Sequence, residues 1–179
     1  LHTVEEYKRF VGNGIPRLVE RFAPAPERTP EGLARALEEF SERYGAHRAD
    51  KTAPYAGMPE AVERLRAAGV RTAVLSNKAH ALAGPVVEDY YPGQFPWVQG
   101  ALPGLPTKPD PTLLHRLMEQ MGASPEDTLF VGDSDVDIRT ARNGGLTSCG
   151  VLWGFRGRAE LEAEGADCLA RTPEELVKA

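Results

Sequence analysis

The stretch FVGDSDVDIRTARNGG, Phe130 to Gly145, joins two kinds of pattern. An apolar run of strand character, DTLFVGD (127–133), leads through Gly132 to Asp133. A helical pattern then runs to Asn143 and is closed by Gly144-Gly145. Three aspartates crowd the junction: Asp133, Asp135 and Asp137. Carboxylates repel one another, so such a cluster is costly without a positive partner. With a helix starting near Ser134, Asp137 points back toward the strand end. Asp133 and Asp137 then suit a hard cation such as magnesium, which takes few protein carboxylates and keeps several waters. The competing explanation is local: Asp133, Ser134 and Asp135 cap the helix and complement its dipole.

The same alternation extends to both sides. VRTAVLS (70–76), TSCGVLW (147–153) and ADCLA (166–170) read as further short strands. Helices are predicted from Pro59 to Gly69, from Lys78 to about Glu88, from Pro111 behind an Asp110 cap, and after Thr172. Residues 96–109, PWVQGALPGLPTKP, read as irregular. Strands alternating with helices imply an α/β fold, a Rossmann-like parallel sheet, whose ligands bind beyond the carboxyl ends of the strands. Polar residues gather at that edge: Ser76, Asn77 and Lys78 after one strand, Asp133 after another, and Lys108 in the loop between. Ser76 and Asn77 at a helix N-terminus are either an anion site or simple caps. Lys108 is either a counter-charge for phosphate and carboxylate or a solvated lysine. The order Ser-Asn, Lys, Gly-Asp-x-x-x-Asp is far more specific than any one of these.

The first fifty residues differ, carrying helical spacing throughout. Thr3 with Glu6 forms a capping box, Ile15, Leu18, Val19 and Phe22 share a face, and Thr29-Pro30-Glu31 starts another helix. The expected organisation is a helical domain over residues 1–52 and the α/β core over 53–179.

Composition narrows the function. A net charge of −5 argues against nucleic acid as a partner, because non-specific binding needs a basic face. No apolar run approaches the ~18 residues of a membrane span. Cys149 and Cys168 have no metal-site spacing and read as reduced thiols of a cytoplasmic protein. The four histidines are scattered, without zinc spacing, and read as surface or structural. Trp153-Gly154-Phe155 reads as packing rather than stacking on a substrate.

This constellation resembles the haloacid dehalogenase superfamily, and within it the phosphoglycolate phosphatases. VLSNK (74–78) looks like the second motif, TKPDP (107–111) like the third and VGDSDVDI (131–138) like the fourth. The resemblance implies phosphate binding by Ser76, Asn77 and Lys108, a catalytic Lys108, and magnesium held by Asp133 with Asp137 in support. It also implies that the helical segment is a cap closing over the site, with Asn13 and Arg17 toward the substrate. The expected reaction is hydrolysis of a small phosphorylated metabolite such as 2-phosphoglycolate, by a monomer or homodimer, through an aspartyl-phosphate. A phosphosugar phosphatase or mutase, or a non-catalytic relative, are the alternatives. The family's first motif, Asp-x-Asp-x-Thr, occurs nowhere in the 179 residues. The resemblance implies that its strand and helix stand before Leu1, and that without them two strand edges are open.

Overall fold

The computed structural model describes residues 2–178. The chain divides into two units, Leu1–Ala53 and Pro54–Ala179. Unit 1 is helical: α1 (Val4–Phe10), α2 (Ile15–Phe22) and α3 (Pro30–His47). The Thr3–Glu6 box closes as expected: the Thr3 hydroxyl accepts from the Glu6 N–H at 3.2 Å, and the Glu6 carboxylate accepts from the Thr3 N–H at 2.7 Å. Aromatic rings tie the three helices, with centroids 6.3 Å apart for Tyr7–Phe22 and 5.8 Å for Phe22–Phe40.

Unit 2 alternates as the sequence implies. The order is α4 (Met58–Ala67), β1 (Ala73–Ala79), α5 (His80–Tyr90), β2 (Trp97–Ala101), α6 (Thr112–Met121), β3 (Leu129–Gly132), α7 (Asp135–Gly144), β4 (Thr147–Val151), α8 (Arg158–Ala163), β5 (Cys168–Ala170) and α9 (Pro173–Leu176). Every strand pairing is parallel. The strands form two sheets, β1–β2 and β3–β4–β5. Among the described residues β1 pairs with β2 alone and β3 with β4 alone, so each carries an open edge. One apolar cluster, Leu114, Met118, Ala141 and Leu146, supports both sheets, because Leu75 of β1 and Phe130 of β3 pack on it. Among the described residues no helix is long and apolar enough to cross a membrane.

Three elements depart from the sequence expectation. Strand β1 starts later than Val70 and continues through Ala79, so Ser76 and Asn77 lie within the strand and not at a helix N-terminus. The register moves from Leu75↔Gln99 to Ala79↔Ala101, so residues 76–78 bulge opposite Gly100. Gly100 permits this, since a Cβ there would stand 2.6 Å from the Lys78 carbonyl oxygen. Strand β2 lies in a stretch that reads as irregular, because Gln99 and Gly100, both buried, interrupt its apolar run. Helix α8 has no clear sequence signal, because Leu161 is its single buried residue and leaves little periodicity to read.

Candidate active site

The end of β3, the start of α7 and the loop before α6 meet at one corner. Ser134 is the N-cap of α7, and Asp137 reaches back to it. Asp137 Oδ2 accepts from the Ser134 N–H at 3.2 Å and from its hydroxyl at 2.6 Å. The other oxygen, Oδ1, accepts from Lys108 Nζ at 2.7 Å. Both side chains are largely withdrawn from water, 13% exposed for Lys108 and 9% for Asp137. At that burial an opposite charge at contact distance matters far more than on the surface.

Lys108 is positioned by its main chain. The Asn77 side-chain carbonyl accepts from the Lys108 N–H at 2.9 Å, and the Asn77 amide donates to the Lys108 carbonyl at 3.0 Å. The β1 bulge therefore fixes the loop that carries the lysine. Asn143 of α7 donates to the Pro109 carbonyl at 2.9 Å. Asp110 closes the far side: its carboxylate accepts from the Thr112 N–H at 2.9 Å. The Thr112 hydroxyl and N–H together hold the Asp110 carboxyl below the usual carboxylate range. The ammonium lies 5.8 Å from the Phe130 ring centroid.

Asp133 is held differently. Its Oδ2 accepts from the backbone N–H of Phe155 at 2.8 Å, in the loop after β4. Its Oδ1 accepts no hydrogen bond among the described residues. Two glycines make room for the two carboxylates. A Cβ at Gly132 would stand 2.7 Å from Asp137 Oδ2, and a Cβ at Gly154 would stand 2.6 Å from Asp133 Cγ. Asp135 turns away and pairs with Arg139.

The donors suit a small hard cation. Among the described residues no three His, Cys, Asp or Glu side chains converge as a metal cage. Magnesium does not need one, since one or two carboxylates with water and a phosphate complete its shell. Asp133 Oδ1 is the most open of the four oxygens, since each oxygen of Asp137 already accepts from Lys108 or Ser134.

The structure joins Asn77 to Lys108 and Lys108 to Asp137 by direct contacts, with Asp133 four residues before Asp137 at the same strand-to-helix junction. Ser76 is adjacent to Asn77 in the bulge, where its hydroxyl accepts from the Lys78 N–H at 3.1 Å. Asn13 and Arg17 belong to the helical unit and bond within it. Asn13 Oδ1 accepts from Arg21 at 2.8 Å, and Arg17 donates to Glu20 at 2.5 Å. Sequence reading missed the Phe155 N–H, Gly154 and Asn143. A glycine in a Trp-Gly-Phe turn after a strand was the available signal for the first two.

A family model described as haloacid dehalogenase-like hydrolase matches residues 1–145. The chain is 31% identical to a phosphoglycolate phosphatase of Thiobacillus denitrificans over 169 residues, covering 90% of this chain and 74% of that protein. It is 31% identical to a phosphoglycolate phosphatase of Pseudomonas putida over 166 residues, covering 90% of this chain and 61% of that one. For the Pseudomonas fluorescens phosphoglycolate phosphatase the share covered is 57%, so the chain spans about three-fifths of these Pseudomonas relatives. A crystal structure from Lactobacillus delbrueckii subsp. bulgaricus, assigned to the phosphoglycolate phosphatases, superposes with a TM-score of 0.89 at 30% identity. That match covers 99% of this chain and 82% of the other.

Proposed function

This chain belongs to the haloacid dehalogenase-like hydrolases, and on that footing we propose that it serves a magnesium-dependent phosphomonoesterase acting on 2-phosphoglycolate or a close small phosphorylated metabolite. The observation that carries the proposal is the Lys108–Asp137 pair, clamped through the Lys108 main chain by Asn77, beside an Asp133 with one oxygen available. The substrate comes from the relatives, which are named phosphoglycolate phosphatases.

Magnesium bound through Asp133, with Asp137 behind it, would offset negative charge on the phosphoryl oxygens. Lys108 lends a second positive charge to the same group, and its pairing with Asp137 keeps the ammonium aimed. Ser76 and Asn77 line the phosphoryl side of the bulge and supply hydrogen-bond donors. The attacking carboxylate, which forms an aspartyl-phosphate, has no counterpart among these 179 residues. It comes from a strand able to pair with the open edges of β1 and β3. By the family resemblance, Asn13 and Arg17 of the helical unit are the candidate substrate-selecting residues. The protein works in the cytoplasm as a monomer or homodimer, without nucleic acid or membrane.

The test supplies an Asp-x-Asp-x-Thr strand and helix ahead of residue 1 and measures phosphate release from 2-phosphoglycolate and from hexose phosphates. Chelator-sensitive release that favours 2-phosphoglycolate, and is lost in Lys108→Met, is expected. Release that favours hexose phosphates would overturn the substrate. No release from any phosphomonoester would overturn the activity.

A further inference from the structure

The loop after β4 does more than pack. We propose that Gly154 and the backbone N–H of Phe155 form a positioning clamp that presents Asp133 to a divalent cation through one oxygen only, an inference resting on Asp133 being the cation's ligand.

Two observations meet at this clamp. The Phe155 N–H donates to Asp133 Oδ2 at 2.8 Å, so that oxygen is already engaged by a fixed dipole. The position before it is glycine, and a Cβ there would stand 2.6 Å from Asp133 Cγ and closer still to its Cβ and Oδ2. Real Cβ atoms do not approach under 3.0 Å, and here the obstacle is the short side chain of Asp133 itself. Its first atoms are pinned to the backbone, so it cannot swing its tip away. Any side chain at 154 therefore moves the carboxylate or the loop that holds it.

The consequence is directional. A carboxylate with both oxygens open chelates a cation symmetrically and suits larger ions. With Oδ2 engaged by an N–H, Asp133 presents Oδ1 as its open oxygen, which biases it toward the single-oxygen mode that the small, strictly octahedral magnesium shell favours. An N–H bonded to one oxygen also fixes the plane of the carboxyl group, as partners behind metal ligands do. The clamp ties the position of the Asp133 carboxylate to the end of β4, whose Gly150 is the register partner of Gly132 on β3. The geometry of the cation site is thus set by two neighbouring strands together, one giving the carboxylate and the other its orientation.

The neighbouring glycine provides a control. A Cβ at Gly157 meets nothing within 4 Å, and its φ of −85° is open to any residue.

The experiment uses the 179-residue chain with Mn²⁺ as the probe, free Mn²⁺ being counted by electron paramagnetic resonance and displaced with Mg²⁺. Wild type is expected to bind Mn²⁺ in a Mg²⁺-displaceable way, and Asp133→Ala to abolish that binding. Folded Gly154→Ala is expected to weaken Mn²⁺ binding at least tenfold, while Gly157→Ala binds as wild type. Phe155→Pro, which deletes the N–H donor, is expected to show the same loss and answers the case in which Gly154→Ala does not fold. Wild-type affinity in folded Gly154→Ala or in Phe155→Pro would overturn the clamp and leave Asp133 as the ligand. Binding that survives Asp133→Ala would overturn both.

Discussion

Lys108 Nζ lies 2.7 Å from Asp137 Oδ1, and both side chains are about nine-tenths withdrawn from water. A pair at this depth is destabilising to break from one side, because the remaining charge is left without its partner. Lys108→Met should therefore lower stability by about 3 kcal/mol. Urea unfolding of the purified chain measures it, and an unchanged midpoint would mean the pair is solvated.

Asn77 holds Lys108 by two hydrogen bonds to the lysine's main chain. Asn77→Ala removes both and leaves a half-buried N–H and C=O without those partners, a loss of about 2 kcal/mol. The Lys108 amide should also lose protection from hydrogen exchange. Asn77→Asp should be worse than Asn77→Ala, since a carboxylate oxygen would then face the Lys108 carbonyl. Hydrogen exchange at residue 108 across the two variants reads the ranking.

The Ser134 hydroxyl donates to Asp137 Oδ2 at 2.6 Å at the start of α7. Ser134→Ala should cost about 1 kcal/mol through loss of the cap. It should also loosen the orientation of Asp137 toward Lys108. Chemical denaturation checks the first effect. The second appears as a smaller penalty for Lys108→Met in the Ser134→Ala background, read from a double-mutant cycle.

Cys149 on β4 is 1% exposed and adjoins Cys168, its register partner on β5. Burial, with Cys168 adding to it, pushes the Cys149 thiol from about 9 up to about 12. A thiol raised in the folded state stabilises the fold fully below its unfolded value. That contribution is lost as pH rises from about 9 toward 12. Stability should fall across this alkaline window, and Cys149→Ala should flatten the fall while lowering stability at neutral pH. Native iodoacetamide labelling at pH 8 should leave Cys149 unmodified. Its alkylation without denaturant would contradict the burial.

Much of this architecture was legible in the residues. The Gly-Asp-Ser-Asp-x-Asp run identified the strand-to-helix junction, because a glycine-ended apolar run followed by helical spacing has few other solutions. The Thr3–Glu6 box and the Thr172 cap were equally local, and both are present. What escaped depended on contacts between distant segments. The β1 bulge is stabilised by pairing to β2 and by the absence of a side chain at Gly100, neither visible from VLSNK alone. The role of Asn77 as a clamp on Lys108 spans 31 residues of sequence. Phe155 contributes a backbone N–H, for which the glycine of the Trp-Gly-Phe turn is a local sign, while its partner Asp133, 22 residues away, is not visible there.

The most direct measurement uses only residues that this chain contains: calorimetric titration of orthophosphate into the protein with magnesium present. Saturable binding that disappears on chelation, and in both Lys108→Met and Asp133→Ala, is the expected result. Absence of binding, or binding unchanged in Lys108→Met, would contradict the assignment of this corner as the phosphoryl site.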